Sequence, residues 1–410
     1  MKKKVVSLLA AMALAVTALA GCGSNDAATT GTDAATVAAT TEAAGTTEAA
    51  TNSEAVTGVK AGFIFLHDEN STYDLNFLNA AKAACEKLGI EYMTKTNIPE
   101  GQEAYEAACE LADAGCNFIF ADSFGHEDYI IEAAKEYPNV QFSHATGTKA
   151  HTEGLDNFHN AFASIYDGRY LAGIAAGMKL NEMIADGKIT EDTAKVGYVG
   201  AYPYAEVISG FTSFFLGVRS QCPSATMEVK YTNSWASFDL EKECAESLIA
   251  DKCVLISQHA DTTGAPTACQ AAGVPCVGYN ISMIPTAPDA ALTSASINWE
   301  PYYEYATKCV IDGTAIDTDW CKGFAEGADK LTDLNDKVVA EGTAEKVKEV
   351  EDAIIDGSLH IFDTSTFTVN GKELTDADSE YISDGYFHES EKASAPAFDF
   401  IIDGITAVTQ

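Results

Sequence analysis

Residues 60–66 read Lys-Ala-Gly-Phe-Ile-Phe-Leu, a short apolar run of the kind that forms a strand covered on both faces. Apolar residues then recur at helical spacing, at Leu75, Leu78, Ala81, Ala84 and Leu88, before Glu91-Tyr92-Met93 opens another strand. The alternation continues with a helix around 102–114, a strand over Asn117–Ala121, a helix around 127–136 and a strand over Val140–Ser143. Strands alternating with helices of this length predict an α/β protein, with parallel sheets flanked by helices and built from βαβ units.

After a Gly/Ala-rich helix from about Tyr170 to Ile184, the series repeats. Lys195–Gly200, Met227–Tyr231, Val254–Ser257 and Cys276–Tyr279 read as strands, separated by helices over Val207–Val218, Leu240–Ala250 and about 265–272. The segments Cys109–Phe120 and Cys244–Ile256 both run helix, turn, Cys, apolar strand, so two copies of one unit are expected. The domain reading assigns residues 58–165 plus 300–410 to lobe I and 166–299 to lobe II, joined by hinge crossovers. Residues after Tyr302 and after about Leu331 read as helices, and 359–371 as the start of a hairpin around Asn370-Gly371.

Charge narrows the function. The chain has 61 acidic residues against 25 basic ones, a net charge of −36, and only two of the basic residues are Arg, Arg169 and Arg219. Nucleic acid is excluded as a partner, because phosphates are held mainly by Lys and Arg. At the amino terminus, Lys2-Lys3-Lys4 precede a 16-residue apolar run, Val5–Ala20, and then Gly21-Cys22. That run is short of the roughly 20 residues that span a bilayer and has the form of a secretory signal. It resembles a bacterial lipoprotein signal, which implies that residues 1–21 are removed and Cys22 becomes a lipid anchor. Residues 22–57, rich in Ala and Thr, read as a disordered tether. The ten other cysteines are compatible with disulfides. Pairs 109/116, 244/253, 269/276 and 309/321, or 85/116 and 222/253, are all open.

In open α/β sheets a ligand lies beyond the carboxyl ends of the strands, here the cleft between lobes. Those ends carry His67, Asp68, Tyr73 and Asp74; Phe124; Tyr204; Gln258, His259 and Asp261; Asn280; and Asn298-Trp299. Aromatic faces with amide and carboxyl edges suit a flat, polar, uncharged ring, and both Arg lie away from the set. Each candidate has a structural alternative: surface packing for Tyr73 and Trp299, core packing with Phe214 and Phe215 for Phe211, burial for His67 and His259, a helix cap for Asp261, a turn for Asn280.

The lipoprotein signal, Ser71-Thr72-Tyr73-Asp74, the stretch Val207–Val218 with Phe211, and Asn298-Trp299 together resemble the basic membrane protein family of solute-binding lipoproteins of ABC importers, similar to purine nucleoside receptors. The resemblance covers about residues 58–365. It implies a two-lobed, type I periplasmic-binding-protein-like fold, with Tyr73 and Phe211 stacking on a base. The family's ribose-gripping acid falls on Asn280, so a free nucleobase becomes as reasonable a ligand as a nucleoside. Partners implied are a permease and an ATPase subunit, with the protein a monomer on the extracytoplasmic face of the cell membrane. No cofactor or metal is expected. No catalytic residue is assigned, because Gly-x-Ser-x-Gly, phosphate-loop and His-Glu-x-x-His motifs are absent. A nucleosidase using Asp68, Asp74 and Asp122, and a sugar receptor of the same fold, are the alternatives.

Overall fold

The computed structural model describes residues 47–50 and 58–408. The signal sequence, Cys22 and most of the expected tether lie outside them. The first sheet takes β1 (Thr47–Ala50), β2 (Lys60–Ile64), β3 (Glu91–Lys95), β4 (Phe118–Ala121), β5 (Gln141–Ala145) and β6 (Phe158–Ala163). Between these strands run α1 (Thr72–Leu88), α2 (Gln102–Asp113), α3 (Glu127–Glu136) and the single turn α4 (Ala150–Glu153). β1 falls in the stretch read as tether and pairs antiparallel with β3, so at least these four residues are ordered as strand.

A long crossover helix, α5 (Ile165–Ala185), leads to the second series: β7 (Lys195–Gly200), α6 (Ala205–Gln221), β8 (Thr226–Tyr231), α7 (Phe238–Ala250), β9 (Leu255–His259), α8 (Gly264–Ala272), β10 (Cys276–Tyr279) and β11 (Ala291–Ile297). Then come α9 (Glu300–Asp312), β12 (Asp319–Lys322), β13 (Asp329–Leu331), α10 (Thr343–Ile355), β14 (Ile382–Ser383), β15 (Tyr386–Phe387) and β16 (Ile405–Val408). The sheet orders are β1-β3-β2-β4-β5-β6-β12 and β13-β11-β10-β9-β7-β8-β16. Apart from β1 and β13, all their pairings are parallel, as the alternation predicts.

Assigning all of residues 300–410 to lobe I needs correction. β12 joins the first sheet beside β6, but β13 and β16 belong to the second, beside β11 and β8. The chain therefore crosses between sheets three times, at 164–194, 298–318 and 323–328. The expected hairpin at 359–371 is reduced to its turn: Val369 and Lys372 pair antiparallel across Asn370-Gly371, both of positive φ, while residues 359–368 form no strand. Phe362 lies instead on Phe398, with ring centroids 4.5 Å apart, and Phe387 packs edge-on against Phe398 at 5.0 Å. A second hairpin forms later, through β14 and β15. Its turn residues, Asp384 and Gly385, both have positive φ, as a two-residue hairpin turn requires.

Helix α1 shows how local chemistry sets the site. Ser71 caps its start by accepting from the Asp74 N–H, Asp74 sits in the first turn where the helix dipole favours an anion, and Gly89 closes the end in the left-handed conformation. Its inner face, with Phe77, Ala80, Ala81, Ala84 and Cys85, is buried against the first sheet. The ten described cysteines are free thiols in place of the pairings left open above. Burial pushes the Cys85 thiol up to about 12, which leaves it unreactive.

Candidate functional site

The strand ends of the two sheets face each other across a narrow, largely closed cavity. Leu66, His67, Tyr73, Asp74, Ser123, Phe124 and Thr146 line it from the first sheet's side, and Glu206, Trp235, His259, Asp261 and Tyr279 from the second's. The lobes touch around it. Thr72 N–H, one of the unpaired donors at the start of α1, gives its hydrogen bond to the Asp261 carbonyl at 2.7 Å. At the rim the rings of Phe124 and Tyr204 lie 5.7 Å apart, and Tyr204 stacks on Tyr202.

Six of the expected residues, His67, Tyr73, Asp74, Phe124, His259 and Asp261, therefore line one space. Tyr204 stands at its exposed edge. The others point elsewhere. Asp68 turns to Asn70 and Asn97 beside a neighbouring groove, and Asn298 ties the hinge by donating to the Gly327 carbonyl at 3.0 Å. Gln258 is buried and spends its amide on the carbonyls of Ala260 and Thr262. Asn280 donates to Asp261 Oδ1 at 3.0 Å, behind the wall. Phe211 is fully buried against Tyr198, and Trp299 lies stacked on Phe77 at 4.4 Å within the first lobe's core. For these two the core alternative is the one the structure adopts, because α6 and α9 turn those faces onto their own sheets.

Trp235, Glu206 and Tyr279 were missed. Trp235 follows β8, a strand end passed over although the same rule applies to it. Glu206 reads in sequence as an ordinary acid in a helix's first turn, and Tyr279 was passed over for its neighbour Asn280. Arg169 also needs correction. It is buried, and its guanidinium lies 3.7 Å from the centre of the Tyr279 ring, directly behind the site wall.

Three carboxyl groups are pushed in different directions. Burial works against the charged form of Asp74. Hydrogen bonds from the His67 ring, the Ser71 hydroxyl at 2.5 Å and the His67 N–H at 2.7 Å outweigh it and hold the group below its usual range. Burial, reinforced by Asp74, raises Asp122 well above that range; its Oδ1 accepts from Leu66 N–H, and its main-chain carbonyl accepts from the Tyr73 hydroxyl. Burial, with Glu241, Asp74 and Glu206 nearby, raises Asp261 likewise. His259 is held down to about 4, mainly by burial and then by Arg169, so its imidazole is neutral at physiological pH. The cavity thus offers donors and acceptors together, and no Lys or Arg lines it.

A pH prediction follows for Asp122. Its folded-state pKa is raised, so its contribution to stability is fully present below the unfolded value of about 3.9 and is lost as pH rises through the folded value. Asp122→Asn keeps an acceptor for Leu66 and removes that loss. Thermal unfolding should show the variant gaining on the wild type from about pH 5 to 8. Parallel curves would mean that Asp122 ionises freely.

A family described as ABC transporter substrate-binding protein, PnrA-like, matches residues 62–360. A purine-binding protein of Brucella abortus is 33% identical over 328 residues, covering 78% of this chain and 89% of its own. A Haloferax volcanii protein named as an ABC transporter glucose-binding protein is 29% identical over 288 residues, covering 70% and 68%. Among solved structures, an ABC transporter solute-binding protein of Aeropyrum pernix superposes with a TM-score of 0.63 at 18% identity, covering 74% of this chain and 93% of its own. One of Conexibacter woesei gives 0.59 at 19%, covering 74% and 98%. The chain belongs to the PnrA-like family of ABC transporter substrate-binding proteins.

Proposed function

We propose that this protein captures a purine, as free nucleobase or nucleoside, between its closing lobes and hands it to an ABC permease and its ATPase. The observation that carries this reading is the cavity's lining of Tyr73, Phe124, Trp235 and Tyr279 together with carboxyls whose pKa values are pushed in opposite directions. Aromatic faces bind a flat heterocycle, and a ring edge of mixed donors and acceptors meets both partners in Asp74 and Asp261. Closure that excludes water strengthens each of these bonds. Asn280 faces Asp261 and not the cavity, which leaves ribose hydroxyls without the acid that the family resemblance would place there and favours the free base. The name of the Brucella relative supports a purine.

The protein acts here as a monomeric receptor without catalysis, held at the outer face of the cell membrane by lipid on Cys22. Palmitate labelling that persists in Cys22→Ser would remove the anchor. For the ligand, calorimetry against adenine, hypoxanthine, adenosine, guanosine and glucose is decisive. Micromolar or tighter binding of a purine is expected. Binding of glucose alone would establish the sugar reading that the Haloferax relative's name supports, and release of base from a nucleoside would establish a hydrolase. Tyr73→Ala should weaken purine binding by about 1–3 kcal/mol through lost stacking. Unchanged affinity would take Tyr73 out of the site.

A further inference from the structure

Arg169 is a buried cation that makes no ion pair, although the buried Asp329 carboxyl lies near enough to feel its charge. Arg169 is 1% exposed, and among the described residues no carboxylate lies within ion-pair distance of it. Nη1 donates to the Gln258 carbonyl at 2.7 Å, while Nε and Nη2 have no hydrogen-bond partner. An uncompensated buried charge is costly to folding, and its surroundings show what this one does. The guanidinium lies behind Tyr279, with its carbon 3.7 Å from the ring centre, and Tyr279 lines the cavity. The guanidinium also shares a gap with His259. A side chain added at Gly210 would sit 2.6 Å from His259 Nδ1 and 3.6 Å from Arg169 Nε, so both groups converge on the space that this glycine leaves open.

The other imidazole nitrogen, Nε2, is 3.3 Å from Glu206 Oε1, and Glu206 lines the cavity. His259 Nδ1 has no hydrogen-bond partner. A cation beside Nδ1 disfavours a proton there, and a carboxylate beside Nε2 favours one. The groups facing His259 are thus Arg169 from α5, Glu206 from α6 and Tyr279 from β10, the last with ring centroids 4.9 Å apart.

We propose that Arg169 is a positioning residue for ligand recognition: it fixes His259 as the Nε2–H tautomer and holds the Tyr279 ring in plane, so that Glu206 is presented as an acceptor to an N–H edge of the ligand. That the ligand is a purine rests on the reading above. The relay from Arg169 to Glu206 does not. Through it, the buried Arg shapes the ligand's donor edge without touching the ligand.

The test is nitrogen-15 NMR of histidine-labelled protein, with the His259 signals assigned by their loss in His259→Asn. The wild type should show His259 protonated on Nε2 alone, without titrating between pH 5 and 8. In Arg169→Met, the tautomers should mix, while burial still keeps the ring neutral across that range. Arg169→Lys, which keeps the charge, should restore the tautomer and serves if the Met variant does not fold. Hypoxanthine and adenine, followed by calorimetry, should bind Arg169→Met about tenfold more weakly than the wild type across the range. A wild-type His259 on Nδ1, or a variant with unchanged tautomer and unchanged affinity, overturns the relay. If neither purine binds, the purine reading fails while the NMR still decides the relay.

Discussion

Trp299→Ala is expected to lower the stability of the protein by about 3–5 kcal/mol and to leave the ligand affinity of the remaining folded protein within about twofold. Trp299 is 1% exposed, and its ring stacks on Phe77 at 4.4 Å and lies 5.6 Å from Phe120 and 6.1 Å from Phe162. Truncation opens a hole among rings fixed to β4, β6 and α1, which cannot all collapse into it. The residue also occupies the N-cap of α9, at the second crossover between sheets, where Asn76 reaches from α1 to the Ile297 carbonyl at 2.6 Å. Urea unfolding measures the first effect and calorimetry the second. A large loss of affinity with little change in unfolding would return Trp299 to the ligand site.

Gly173→Val should be nearly as damaging, at about 3 kcal/mol or more. Helices α5 and α6 pack so closely that a Cβ on Gly173 would lie 2.1 Å from the Phe214 carbonyl oxygen, and one on Gly217 would lie 2.2 Å from that of Tyr170. The obstructing atoms are backbone and cannot turn aside, so the helices must separate. That separation would loosen Arg169 on α5 and Glu206 on α6 together. Thermal unfolding checks the stability, and a midpoint unchanged from wild type would show that the two helices adjust without loss. Gly173→Ala, smaller but set against the same oxygen, should fall between.

Residues 170–184 are visible in the sequence as a Gly/Ala-rich helix. The reason for that composition is not, because nothing in the spacing of small residues says which helix lies across them. Trp299 illustrates the same limit. A tryptophan beside a polar residue at a strand end reads equally well as a stacking platform or a core ring, and the choice depends on where α9 sets the ring relative to Phe77, more than two hundred positions earlier in the chain.

What the sequence determined by itself was the alternation of strand and helix, its repetition in two copies, and hence the cleft. Periodicity is a local property, and burial on both faces leaves a local mark. The strand-end rule then located His67, Tyr73, Asp74, Phe124, His259 and Asp261, because every such end in a parallel sheet opens on the same side. The tertiary structure alone decided which of those side chains turn inward, that β13 and β16 return to the second sheet, and that Arg169 stands behind Tyr279. It also decided the direction in which each carboxyl is pushed. Asp74, Asp122 and Asp261 are the same residue type, and what separates them is desolvation and hydrogen bonding by groups brought together only when the two lobes fold and meet.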